Sequence, residues 1–284
     1  MPLSKGLVWI TGASSGIGWA TSLHLARNGF EVAASARNVE ALKALNKRDN
    51  NIHPYPLDVA DPIEREKVYS QIREDLGPVD ILINNAGYGI RGTVEDVPAH
   101  MLRDIFDVNV FAAIELTRLV LPEMRERREG RIIMVSSVLG RFTTPLGGVY
   151  SATKHALEAF SDALRMEMIP WDVKVVLVEP GPIRTNFGKV AKKQSDAILH
   201  NEKSPYASQY QQLLSKPAYK PHELWGKASV AEVIRKAVEL KNPKARYPVH
   251  SLAILLPILQ AHLPTAISDR IFGSHYGFKP ESNT

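Results

Sequence analysis

The stretch VYSATKHALEAF (149–160) places Tyr150 four residues ahead of Lys154. In a helix the two side chains share one face, one turn apart. A free phenol titrates near pH ~10, so it is a poor acid–base group at neutral pH unless its anion is stabilised. A lysine one turn away would favour the phenolate, and such a pair could pass a proton to or from a substrate oxygen. The same spacing also suits an ordinary helix surface, so its meaning depends on what positions it.

A second chemical feature lies near the start of the chain. ITGASSGIG (10–18) carries Gly12, Gly16 and Gly18 between an apolar run and an amphipathic one. Glycines let a backbone turn sharply and approach a pyrophosphate, whose charge meets the free N–H groups of the following helix. This strand–turn–helix context points to a dinucleotide, and a Gly-rich turn without a ligand is the plainer alternative. The next β-branched run ends in AASARN, with Ser35, Ala36 and Arg37 and no carboxylate to accept bonds from an NAD ribose. Arg37 can grip a phosphate bidentately, with Ser35 or Ser14 adding a hydroxyl. The expectation is NADP(H) rather than NAD(H).

The elements that must hold these groups are legible as an alternation. GLVWIT (6–11), EVAASA (31–36), VDILINNA (79–86), RIIMVSS (131–137) and VKVVLVEP (173–180) are apolar nearly throughout. Strands buried on both faces of a parallel sheet read this way. HPYPLDV (53–59) is a weaker strand whose prolines suit an edge. Helical patterns lie between them, such as GIGWATSLHLARNG with Gly29 as its C-cap and ALEAFSDALRMEM. The expected fold is α/β: a Rossmann-type, doubly wound parallel sheet with helices on both faces, in one domain over 1–284. The core spans 1–185, and 186–284 is a C-terminal elaboration. Within it, 186–230 reads as polar and irregular with Tyr206, Tyr210, Tyr219 and Trp225; 230–240 reads as a helix and 245–249 as a last strand.

Composition narrows the function classes. The 284 residues carry a formal charge of +5, and the densest basic run, RERREGR (125–131), alternates sign like a solvated helix end and turn. Nucleic acid is therefore not an expected partner. The absence of cysteine excludes disulfides and thiolate chemistry and fits a reducing, cytoplasmic setting. The nine histidines show no clustered spacing, so no metal site is expected. The N-terminus lacks a signal-peptide pattern. Pro257, Gln260, His262 and Pro264 interrupt the apolar stretch 251–267, which falls short of a bilayer span.

TGASSGIG (11–18), NNAG (84–87), Asn109 in DVNVFA, Ser137 in VSSVLG, YSATK (150–154) and PGPIRT (180–185) resemble, in order and spacing, the motifs of the short-chain dehydrogenase/reductase family. The resemblance spans residues 6 to about 188. It is closest to the branch of 17β-hydroxysteroid-dehydrogenase-like enzymes and bacterial NADP-dependent aldehyde reductases. It implies that Tyr150 exchanges the proton and Lys154 tunes it while holding the nicotinamide ribose. Ser137 would bond the substrate oxygen, and Asn109 would hold a relay water. Ser14, Ser15 and Ile17 would join the glycines around the phosphates. Asp58 and Val59 would meet the adenine, and Asn85, Ala86 and Gly87 the adenosine ribose. Pro180, Gly181, Ile183 and Thr185 would flank the nicotinamide. Asn109 as a core amide, Asp58 as a turn former and the Pro-Gly pair as a strand exit are the plainer alternatives.

By family position the substrate wall would comprise Tyr88, Ile90, Val138, Leu139, Phe142, Leu146, Val149, Pro182 and Phe187, with Arg91, Arg141 and Arg184 as its only charges. This lining suits a small hydrophobic aldehyde or ketone and its alcohol, with a steroid or retinol as the alternative. Residues 188–230 would form a lid or a surface insertion. Residues 251–267 would pack on the domain or at a subunit contact rather than on a membrane. The resemblance further implies a homodimer or homotetramer paired through helices near 110–125 and 150–168. A catalytically idle dinucleotide-binding module is the competing class, and it has no need of a proton donor.

Overall fold

The computed structural model describes residues 5–215, 225–249 and 251–279. Strands β1 (Leu7–Thr11), β2 (Glu31–Ala36), β3 (Ile52–Pro56), β4 (Ile81–Asn84), β5 (Gly130–Val135), β6 (Val173–Glu179) and β9 (Arg246–Pro248) form one sheet in the order β3-β2-β1-β4-β5-β6-β9. Every pairing in it is parallel. The proline-bearing β3 lies at the edge, where a missing N–H breaks no central ladder. Alternate residues feed opposite faces. Val8 and Ile10 join one buried cluster with Leu25, Leu42 and Ile234, while Leu7 and Trp9 join the other with Ile72, Leu116 and Leu157. A one-residue slip would exchange these sets, so burial on both faces fixes the register.

Helices α1 (Gly16–Arg27), α2 (Val39–Asn46) and α10 (Lys227–Glu239) cover the first face. Helices α3 (Pro62–Leu76), α5 (Ala112–Arg127) and α6 (Gly148–Glu167) cover the second. Asp61 starts α3 by accepting the N–H groups of Ile63 and Glu64, with Pro62 at the first helical position. Helix α4 (Ala99–Phe106) runs through a π-helical turn, Asp107–Phe111, into α5.

One expectation needs correction. The described part of 186–230 is not irregular: β7 (Ile183–Arg184) leads into it, and it contains α7 (Phe187–Gln194), α8 (Asp196–Leu199) and α9 (Ala207–Ser215). Strand β7 pairs with β8 (Trp225–Gly226). These helices are too short to be stable alone. They rest on a cluster of Leu146, Ile198, Leu199 and Tyr210, and Tyr210 Oη bonds Asp96 Oδ2 at 2.6 Å. Tyr219 lies outside the described residues. The basic run is the expected solvated helix end and turn over 125–129, and its last residue enters the core. Arg131 is buried on β5, and its Nη1 donates to the carbonyls of Ala237 (2.6 Å) and Val238, capping α10. The interrupted apolar stretch 251–267 falls in two helices. Helix α11 (Ser251–His262) continues through Pro257, and α12 (Thr265–His275) follows. Ala253 packs on Val138 and Phe142, so this segment docks on the domain as one of the expected options had it. No helix among the described residues is long and apolar enough to cross a membrane.

Candidate active site

Strand order reverses between β1 and β4, and the crevice beyond their carboxyl ends is where doubly wound sheets bind ligands. The glycine turn lies there. Gly12 and Gly16 have φ of +68° and +59°, a region that side chains other than glycine adopt with strain. A Cβ on Gly12 would lie 2.9 Å from Ala86 Cα, and one on Gly18 would lie 2.6 Å from Asn85 Nδ2. Gly18 thus lets α1 begin against the β4 exit. Ser15 caps α1 without a side-chain bond, and no acidic residue occupies its first turn. Its N–H groups and positive end therefore face the crevice, a cradle that fits a pyrophosphate. Ser14, Ser15 and Ile17 remain at least partly exposed around it.

Thr11 ties the two sides of this crevice together. Its Oγ1 accepts from the backbone of Asn85 (3.1 Å) and Ala86 (3.0 Å), while Asn85 Nδ2 donates to Thr11 O at 2.8 Å. Sequence reasoning gave Thr11 no role, because a strand-end threonine has no signal of its own. Gly87 faces the other half of the site: a Cβ there would lie 3.0 Å from Asn109 Oδ1 and 3.8 Å from Lys154 Nζ.

Ser35 must be removed from the phosphate-binding set. It is fully buried, and its Oγ accepts from Trp9 Nε1 at 2.9 Å inside the sheet. Arg37 lies outside, with 77% of its side chain exposed and Nη1 3.8 Å from Asp58 Oδ2. Asp58 also accepts from Ala60 N at 3.0 Å, so it shapes the turn it sits on. Val59 is buried, with its carbonyl on Arg65 Nη1. The loop after β6 meets the glycine turn from the far side. Pro180 O accepts from Val138 N at 3.0 Å, and a Cβ on Gly16 would be 3.5 Å from Thr185 Cγ2. Gly181, Pro182 and Ile183 are half-buried between these contacts.

Asn109, Tyr150 and Lys154 come from two elements that meet behind this loop. The π-helical turn interrupts the regular helical ladder at Asn109. The buried amide accepts from Tyr88 N (3.0 Å) and donates to Tyr88 O (2.9 Å) and Thr153 Oγ1 (3.1 Å). It locks the start of the 88–92 segment onto α6. Ser137 leaves β5 in an extended conformation, and its Oγ accepts from Leu139 N at 3.1 Å. Lys154 is buried, donates to Val135 O at 2.9 Å and lies 5.9 Å from the Tyr150 ring centroid. Desolvation lowers Lys154 to a pKa of about 8, opposed by the charge of Glu158.

The titration of Tyr150 differs from the sequence expectation. Desolvation pushes it up to about 12, against the lowering effects of a Ser137 hydrogen bond and the Arg91 charge. The Lys154 ammonium donates to the Val135 carbonyl rather than to the phenol, and desolvation dominates at Tyr150. The phenol is therefore held protonated through neutral pH, a proton donor rather than a phenolate.

The expected pocket residues divide into three groups. Tyr88, Ile90 and Val149 pack with Tyr150, and Phe187 meets the Tyr150 ring edge-on at 5.4 Å. Val138, Leu139 and Phe142 pack beneath α11 and α12 with Ala253, Leu256 and Phe272. Leu146 turns away toward α8 and α9. The three arginines also separate. Arg184 is exposed, Arg141 Nη1 lies 3.8 Å from the buried Glu179, and Arg91 lies beside Gly147 at the start of α6. Sequence reasoning missed a buried ionic cluster behind the site, in which Arg246 on β9 meets Glu158 (3.2 Å), Asp162 (2.5 Å) and Glu179 (3.1 Å).

A parallel sheet with a glycine turn at its switch point, and a tyrosine and lysine on the helix beside the end of β5, defines a nucleotide-binding oxidoreductase. Residues 6–196 match the short chain dehydrogenase family profile, and the chain belongs to that family. It is 37% identical to a probable short-chain type dehydrogenase/reductase of Helicobacter pylori over 93% of this chain and 95% of that one. It is 33% identical to an NADPH-dependent 3-dehydrocapnine reductase of Ornithobacterium rhinotracheale, covering 93% and 94%. The solved structure of a short-chain dehydrogenase from Streptomyces avermitilis superposes with a TM-score of 0.75 at 31% identity, covering 96% of this chain and 97% of that one.

Proposed function

We propose that this chain is an NADP(H)-dependent reductase of hydrophobic aldehydes and ketones. The observation that carries this reading is Tyr150 beside the buried Lys154 on α6, the ammonium 5.9 Å from the phenol ring, with burial favouring the protonated phenol. A bound nicotinamide would supply the hydride to the carbonyl carbon. The chain's own part is to orient the carbonyl and to provide the proton. Ser137 Oγ would donate to the oxygen as charge develops on it, and Tyr150 would protonate it. Lys154 would hold the nicotinamide ribose and return a proton to Tyr150, and Asn109 would hold a water that relays protons from solvent. Arg37, with no carboxylate at the end of β2, supports the phosphorylated dinucleotide, as does the NADPH-dependent relative. The apolar surroundings of Tyr150, formed by Tyr88, Ile90, Val149 and Phe187, support an apolar substrate. The same reading makes the chain a homo-oligomer, since α5 and α6 leave a groove lined by Ile114, Leu121, Phe160 and Leu164 facing outward.

The test follows NADPH absorbance with a panel of medium- and long-chain aldehydes and ketones. Tyr150→Phe should lower kcat at least ~100-fold while leaving NADPH binding intact. Undiminished turnover in that variant refutes the mechanism.

A further inference from the structure

Arg91 is the charge in the substrate wall with no task in the fold. Its backbone N–H donates to Ser195 Oγ at 2.6 Å, and the next residue, Gly92, donates to Leu146 O at 3.1 Å. These bonds fix the segment beside the 144–147 turn. Among the described residues its half-buried guanidinium makes no ion pair or hydrogen bond. A Cβ built on Gly147 would lie 3.3 Å from Arg91 Nη1 and 3.0 Å from Thr144 Oγ1. The two side chains therefore flank the same small volume, which glycine leaves open.

That volume lies at the N-terminus of α6, a helix of 20 residues whose cap, Gly147, offers no side-chain bond and whose first turn has no acid. A guanidinium at the positive end of a helix is electrostatically opposed unless an anion lies between them. The second observation is independent of the helix. Thr144 is 8% exposed, and its Oγ1 is buried without a hydrogen-bond partner, although buried hydroxyls are normally bonded. An unpaired guanidinium and an unpartnered hydroxyl thus meet beside the cap residue of a helix whose first N–H groups have no side-chain cap, and all of these groups can donate.

Tyr150 stands in the first turn of the same helix, and the Arg91 charge reaches it, lowering its pKa against burial. We infer that Arg91, Thr144 and the α6 N-terminus bind an anionic group of the substrate, so that the physiological carbonyl compound is an apolar chain bearing a carboxylate or a comparable oxyanion near its carbonyl. The inference deepens the proposed function and rests on Tyr150 as the proton donor. Alcohol or ketone substrates without the anion would fill the apolar wall and leave the cradle unpaired, as happens when a built polar site meets an analogue lacking its partner.

The test measures binding apart from turnover. Calorimetric titration of the full chain with octanoate, octan-1-ol and sodium sulfate reads the cradle directly. Octanoate should bind at least ~10-fold tighter than octan-1-ol, and Arg91→Met should erase that preference. Thr144→Val, nearly isosteric, should reduce it several-fold and serves if Arg91→Met melts early. Equal affinity for acid and alcohol, or a preference that survives both substitutions, overturns the inference. Sulfate binding that depends on Arg91 while octanoate gains nothing over octan-1-ol means a free-anion site, and also overturns it. In turnover, the ratio of kcat/KM for a medium-chain oxo acid to that for its methyl ester should fall at least ~10-fold in Arg91→Met. An oxo acid reduced no faster than its ester overturns the substrate assignment. If no carbonyl compound oxidises NADPH, the proposed function fails, while the octanoate comparison still decides the cradle.

Discussion

Glu179 ends β6 and leads directly into the Pro180-Gly181 loop. It is fully buried, with Arg246 Nε 3.1 Å from Oε1 and Arg141 Nη1 3.8 Å from Oε2. Burial, and then repulsion by Glu158, raise its pKa from 4.5 to about 7 despite the two arginines. The folded chain thus keeps this proton up to about pH 7, whereas the unfolded chain releases it near pH 4.5. The folded state binds more protons between these limits, so stability is fully present below pH 4.5 and is lost as pH rises through 7. At about 1.4 kcal/mol per pH unit, the gap from 4.5 to about 7 amounts to about 3 kcal/mol. That is a large part of a total of roughly 5–15 kcal/mol. Glu179→Gln keeps the shape and removes the ionisation, and Arg246 retains Glu158 and Asp162. Urea unfolding of both proteins from about pH 5 to 8 should show the wild type losing about 3 kcal/mol relative to the variant. Lys154 and the titrating groups not coupled to Glu179 occur in both chains and cancel. Parallel stability curves across that range would refute the reasoning.

Other substitutions probe the crevice and its cover. Gly18→Ala would drive a Cβ into the Gly12 carbonyl and to 2.6 Å from Asn85 Nδ2; it should cost about 1–3 kcal/mol in thermal unfolding and abolish NADPH fluorescence enhancement. Arg37→Ala should weaken NADPH binding at least ~10-fold with little effect on NADH, measured as the two Kd values. Tyr210→Phe removes the bonds to Asp96 (2.6 Å) and Thr93 (2.9 Å) that seat α9. It should cost about 1–3 kcal/mol and expose the 187–215 helices to proteolysis without changing NADPH affinity.

The alternation of strands and helices was readable from the chain because strands covered on both faces carry unbroken β-branched runs. The glycine turn was equally readable, since Gly12 and Gly16 occupy left-handed backbone that other residues avoid. The helices of 187–215 were not, because they owe their order to Tyr210, Asp96 and Leu146 rather than to periodicity. Nor was the fate of single polar residues. Ser35 follows the same strand as its neighbours, and only its pairing with Trp9 across the sheet removes its hydroxyl from the crevice.

The sequence by itself determined the succession of strands and helices along the chain, the glycine turn that opens the first helix and the residue types able to exchange a proton, since these depend on local pattern and spacing. Tertiary structure decided how those residues titrate and what they face. Lys154 and Tyr150 are neighbours in any helix, but burial raises the phenol, and the Val135 carbonyl takes the ammonium. Arg91, Thr144 and Gly147 become one cradle only when the 88–92 segment is bonded against the turn before α6. Desolvation and hydrogen-bond partners are supplied by segments distant in the chain, and no spacing within one segment encodes them.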